Sequence, residues 1–112
     1  MENISWSDFE KIKLRIGTVV KVEDFPKARN PSYILHVDFG KQIGIKKASS
    51  QLTVHYQKDQ LLNKQVVAVV NFAPKQIGPI MSECLVTGFY DENGGVILAV
   101  PDKPINNGAI FG

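Results

Sequence analysis

The chain has 112 residues, 44% of them hydrophobic and 21% charged, the make-up of one ordinary globular domain over residues 1–112 with no room for a second. No apolar run approaches the roughly 18 residues of a membrane span, and the start, MENISWSDFEKIK, lacks a secretory pattern, so a cytoplasmic protein without membrane insertion is expected. The net charge of +2 is unevenly spread: residues 1–40 balance, residues 41–75 carry six lysines against Asp59, and residues 76–112 carry Lys103 against four acids, so a basic middle is available to attract phosphate.

SWSDFEKI reads as a short helix. Residues 14–22, LRIGTVVKV, alternate with period two, which puts Leu14, Ile16, Thr18, Val20 and Val22 on one face of a strand. Gly17 within it suggests a bend or bulge that lets a long strand serve both sides of a small barrel. FPKARNPS, residues 25–32, cannot continue a strand and is expected to project as a loop carrying Lys27 and Arg29. YILHVDF follows with Tyr33, Leu35, Val37 and Phe39 inward. Beyond Gly40 a third strand, IGIKKAS, must send the adjacent Lys46 and Lys47 to opposite faces.

Within residues 49–62 a short helix is expected, capped by Ser49 or Ser50, with Leu52 and Tyr56 four apart. VVAVV, residues 66–70, is a β-branched run suited to a fully buried strand. CLVTGFY and VILAV are joined by DENGG, a strong hairpin turn. The stretch that joins the 66–70 run to this hairpin, VNFAPKQIGPIMSECLV, residues 70–86, reads either as a plain connection or as the edge of a binding surface. Short strands broken by Gly and Pro, with a helix after the third, predict an all-β fold: a five-stranded Greek-key barrel of the oligonucleotide/oligosaccharide-binding (OB) type with short helices and terminal extensions.

A search for catalytic chemistry finds no constellation. His36 and His55 lie on separate elements, and Cys84, the one cysteine, has no partner for a zinc site or a disulfide and reads as a core side chain. There is no phosphate loop and no nucleophile elbow around Ser82, so neither catalytic nor metal-ligating residues nor a cofactor is assigned. A binder is the remaining reading. Barrels of this class hold single strands with a basic groove and exposed aromatic rings; the cations available include Lys27, Arg29, Lys41, Lys46, Lys47 and Lys75, and the candidate rings are Phe25, Tyr33, Tyr56, Phe89 and Tyr90, each more often core than platform.

DFEKIKLRIGTVVKVEDFP, ILHVDFG, LLNKQVVAVVNFAPKQI and MSECLV together resemble the tRNA-binding domain family, most closely its stand-alone branch of CsaA-type export-related chaperones. The resemblance runs from about Phe9 to Gly112 and is carried by Asn71, Pro74 and Lys75, with the Ser82–Glu83 pair before an apolar strand. It implies an OB barrel extended at its ends into a homodimer, binding of tRNA or other structured RNA, and affinity for unfolded or export-bound preproteins. The nucleic-acid residues it implies are Asn71, Lys75, Ser82 and Leu85, with Leu85 where relatives have methionine. Gln76 stands where a second cation is usual and Pro79 where a glycine is. FPKARNP replaces the His-Pro-x-Ala-Asp segment of the synthetase-associated relatives, and Lys27 and Arg29 within it add positive charge.

Two readings follow. One is an RNA-binding module whose nucleic-acid site comprises Lys27, Arg29, Lys46, Lys47, Asn71, Lys75, Ser82 and Leu85. The other is a dedicated peptide-binding secretion chaperone with little RNA affinity. Trp6, Phe9, Ile80, Met81 and Phe111 are its candidate client-binding surface, because their places near the ends or in the 70–86 loop make them poor core members, although dimer packing is the favoured role for them, since an obligate dimer interface is apolar too.

Overall fold

A computed structural model describes residues 1–112. Helix α1 (Trp6–Glu10) is set by a capping box: Ser5 Oγ accepts the Asp8 N–H at 3.1 Å, and the Asp8 carboxylate accepts the Ser5 N–H at 3.2 Å. Strands β1 (Leu14–Asp24), β2 (Tyr33–Asp38) and β3 (Ile45–Ser50) form an antiparallel meander, and after helix α2 (Lys58–Leu61) strand β4 (Gln65–Val69) returns to pair with β1. β5 (Lys75–Ile77) and β6 (Ile80–Ser82) form a hairpin. β7 (Leu85–Val86) joins β4, and β8 (Gly88–Tyr90) pairs with β9 (Val96–Leu98).

The order β3–β2–β1–β4–β7 makes a five-stranded antiparallel sheet that curls into a nearly closed barrel, the OB-type architecture expected from the pattern of short strands. β1 serves two neighbours, β4 along its first half and β2 along its second. The core inside the barrel includes Val19, Leu35, Val37, Phe39, Val66 and Leu98. Cys84 lies in the same cluster, as a core thiol should.

Three expectations need correction. The first concerns the inward face of β1. A bulge at Val20 shifts the register, Val19 pairing with Val37 but Lys21 with His36, so Val20 is thrown outward and is 41% exposed while Val19 is fully buried. Gly17, three residues before the bulge, marks a close approach: a Cβ there would run into Val37 and come within 2.8 Å of the Phe39 ring. Uniform alternation cannot survive the inserted residue, since the side-chain period of two resets at the bulge.

The second correction is the helix after β3. Ser49 and Ser50 belong to β3 itself, and helix α2 is only Lys58–Leu61, with Gln57 as its cap residue. The Tyr56 N–H does donate to Leu52 O at 3.2 Å, which is the expected spacing of four realised as a single turn. Third, CLVTGFY is two strands because its halves take different partners, β7 pairing with β4 and β8 with β9; Thr87 between them still lies on β4, its hydroxyl and its N–H both donating to Val67 O at 2.8 and 2.9 Å.

The C-terminal segment lies along the free edge of early β1. Ile16 N–H donates to Ala109 O (3.1 Å), Gly108 N–H to Ile16 O (2.7 Å) and Phe111 N–H to Leu14 O (3.1 Å), so the end of the chain is fastened beside its beginning. Gly17→Ala should lower stability by about 1–3 kcal/mol through overpacking against Phe39. Urea unfolding with an unchanged slope and a lower midpoint is the expected result.

Candidate nucleic-acid interface

The stretch 70–86 is where the barrel closes. Glu83 N–H donates to Lys47 O at 2.7 Å, Lys47 N–H donates to the Glu83 carboxylate at 2.9 Å, and Ser49 N–H donates to Ser82 Oγ at 3.1 Å. The Ser-Glu pair thus satisfies the outer edge of β3. Between β4 and this clasp the chain makes the β5–β6 hairpin, whose two-residue loop Gly78-Pro79 turns with Gly78 at φ +54°. Gln76 Nε2 donates to Gly78 O at 2.6 Å, so the residue standing where a second cation is usual braces the turn.

The hairpin, β3 and β7 enclose a groove of about 340 Å³ lined by Ser49, Phe72, Lys75, Ser82, Cys84 and Leu85, among others. Lys75, Ser82 and Leu85, drawn from separate strands, are brought together here. Ser82 accepts from Ser49 but keeps its own hydroxyl proton to donate. Lys46 and Lys47 part as alternation requires, Lys46 on the face of buried Ala48 and Lys47 on that of Ser49, and neither lines the groove; Lys47 pairs across the sheet with His36, whose Nε2 is hydrogen-bonded to Glu23 Oε1 at 2.6 Å. That hydrogen bond is the main reason the Glu23 carboxyl titrates below its usual range.

Other sequence candidates fall elsewhere. Asn71 uses both ends of its amide on the chain: Lys13 N–H donates to Oδ1 (3.0 Å) and Nδ2 donates to Lys11 O (2.8 Å), tying the segment after α1 to the end of β4. Lys27 and Arg29 are exposed on the loop after β1; the Lys27 carbonyl would lie 3.6 Å from a Cβ on Gly78, so this loop packs beside the hairpin tip. Among the candidate rings Phe25 is buried, and Tyr33 and Tyr56 are half-buried with their hydroxyls hydrogen-bonded to backbone. Phe89 and Tyr90 are exposed. Phe72, 58% exposed in the groove wall, escaped the sequence reading; its place in a Pro-containing loop, outside any alternating run, was the available signal.

Trp6, Phe9 and Phe111 do meet. Their rings pack in sequence, with centroids 6.5 Å and 6.3 Å apart, and line one apolar hollow at the joined chain ends. Ile80 and Met81 stand apart from it on β6.

A family model described as "Putative tRNA binding domain" matches residues 14–110. The chain belongs to this tRNA-binding domain family. Crystal structures of chaperone CsaA from Bacillus anthracis str. Ames (40% identity, TM-score 0.93, covering 99% of this chain and 100% of that one) and of a CsaA chaperone protein from Picrophilus torridus (43%, 0.92, 98% and 100%) match it end to end, which places it in the CsaA-type branch. The methionine–tRNA ligase of Pyrococcus horikoshii is 36% identical over 109 residues, 97% of this chain but 14% of the ligase, so the chain spans a small part of the curated relatives it matches. The match to the family model runs through the Ser-Glu clasp and Lys75, which lie on one rim of the barrel.

Burial pushes the Cys84 thiol up to about 12, Lys46 only partly opposing, so it stays protonated near neutrality and is no nucleophile. Iodoacetamide at mildly alkaline pH should label Cys84 very slowly in the native protein and at the rate of a free thiol in urea.

Proposed function

We propose that the protein is a non-catalytic, cytoplasmic, homodimeric member of this family that binds tRNA or a similarly structured RNA and also holds unfolded or export-bound preproteins. The observation that carries the RNA part is the convergence of Lys75, Ser82 and Leu85 on one groove. A lysine supplies charge for phosphate, a serine hydroxyl donates, and Phe72 and Leu85 offer apolar surface to sugars and bases. Lys27 and Arg29 extend positive charge past the hairpin tip.

Phosphate contact releases counterions, so affinity for tRNA should fall steeply with salt, by a log–log slope of roughly 0.7–0.9 per phosphate neutralised. Lys75→Ala should weaken tRNA binding and flatten that slope by about 1, read from titrations across potassium chloride. A flat salt response in the unaltered protein would remove the RNA reading.

The chaperone and dimer parts rest on the apolar ring cluster. Trp6 is 81% exposed in the single chain, and Ile4, Ile12, Ile110 and Phe111, which line the same hollows, are exposed too, a grouping of apolar side chains of the kind that marks an interaction site. A second copy of the chain, or a client segment, would cover it. Phe111→Asp should shift sedimentation from dimer to monomer while the barrel stays folded, because Phe111 lies outside the barrel core. Suppression of client aggregation measured on that monomer separates the two uses: if it is kept, clients bind elsewhere, with Ile80 and Met81 the next surface to alter.

A further inference from the structure

A second cavity of about 370 Å³ continues the groove, sharing Ser49 and Leu85 with the first. Its chemistry differs. The first cavity has Lys75 in its wall, whereas no charged side chain lines the second, which is walled by Ser50, Gln51 and Leu52 on one side and by β7, Gly88 and Tyr90 on the other. The Thr87 hydroxyl is occupied by Val67 O, but no hydrogen bond within the chain engages the side chains of Ser49, Gln51 or Tyr90. Tyr90 is 87% exposed at the rim.

That exposed ring sits on a fixed support. The next residue, Asp91, accepts the Asn93 N–H (3.0 Å) and the Gly95 N–H (2.8 Å) on one oxygen and pairs with His55 through the other, which fastens the β8–β9 turn to the segment after β3. Tyr90 itself pairs with Val96 across the hairpin. An aromatic face held at the edge of a neutral cavity, with free hydroxyl and amide groups opposite and a lysine further along the same groove, alternates as a nucleic acid strand does: flat neutral base, then charged phosphate.

We propose that this second cavity receives one unpaired nucleobase, Tyr90 providing the stacking face and Ser49 and Gln51 the hydrogen-bonding edge, while the adjoining phosphates run toward Lys75. The RNA feature engaged is then a single-stranded loop or end, since a duplex keeps its bases stacked and cannot offer one to a pocket. This rests on the RNA-binding reading above and adds the part of the RNA that is held. An extended peptide fits less well: it would need a free strand edge to add to, and the β3 N–H groups at positions 47 and 49 are already taken by Glu83 and Ser82.

Binding of a short labelled oligouridylate, of a duplex of equal length and of tRNA decides it, measured on the unaltered protein and on Tyr90→Ala, Tyr90→Trp, Gln51→Glu and Lys75→Ala. Tyr90 and Gln51 are exposed, so their variants should keep the thermal midpoint. Tyr90→Ala should weaken single-strand binding about tenfold without changing the salt slope, and Tyr90→Trp should restore it. Gln51→Glu should also weaken it, and the duplex should bind less well than the single strand. If Tyr90→Ala binds the single strand as well as the unaltered protein does, while Lys75→Ala still weakens tRNA, the base pocket is wrong and the RNA reading survives. Absence of binding to every RNA by the unaltered protein removes the RNA reading itself. Loss of unfolded-peptide binding in Tyr90→Ala with RNA affinity unchanged assigns the cavity to peptide and overturns the proposal.

Discussion

The contact on which the site depends is the clasp between β3 and the Ser82–Glu83 pair. Two residues satisfy the edge of β3 at positions 47 and 49 through a backbone bond, a carboxylate and a hydroxyl. An open β3 edge would leave unpaired N–H groups beside the core and invite strand addition from another chain. With the edge closed, Cys84 is drawn into the core and Leu85 starts β7 at a defined register against Val69. The hairpin that precedes the clasp is held between two fixed points, the end of β4 and the edge of β3, and so makes a stable groove wall.

The groove's chemistry follows from that closure. Lys75, Ser82 and Leu85 are up to ten positions apart and on three strands, yet all face one cavity because β5 and β6 are paired and β7 resumes the barrel at once. Asn71 supports the arrangement indirectly. It anchors the residues after α1 to the end of β4, so the N-terminal helix with Trp6 and Phe9 is stitched to the strand from which the groove hairpin departs. The apolar end of the molecule and the basic groove are therefore built on the same β4 exit.

Much of the barrel was legible along the chain. Alternation in YILHVDF, the β-branched run at 66–70 and the DENGG turn each carry their own structure, since a buried face or a positive-φ turn is specified by neighbouring residues. The Gly78-Pro79 loop between KQI and IMS held the same kind of turn signal, though only the folded chain shows it closing a hairpin. The β1 face was misread because a bulge is decided by the partner strand: Val20 has nothing opposite it only once Val19 and Lys21 have paired with Val37 and His36. Likewise Ser49 and Ser50, good helix caps in isolation, are held in β3 by pairing with Tyr33 and Ile34. Tertiary pairing outweighs a capping preference of about 1 kcal/mol.

Local periodicity and residue type were enough to specify the barrel class, the family motif around Asn71, Lys75 and Ser82, and the separation of Lys46 from Lys47. What each motif residue does became visible in the folded chain alone. Asn71 is hydrogen-bonded to the backbone of Lys11 and Lys13, Ser82 and Glu83 close the barrel, and Phe72 and Tyr90 are left standing at the groove. The physical reason is that a polar side chain goes first to whichever unsatisfied backbone group the fold brings within reach, and a motif cannot say which groups those will be.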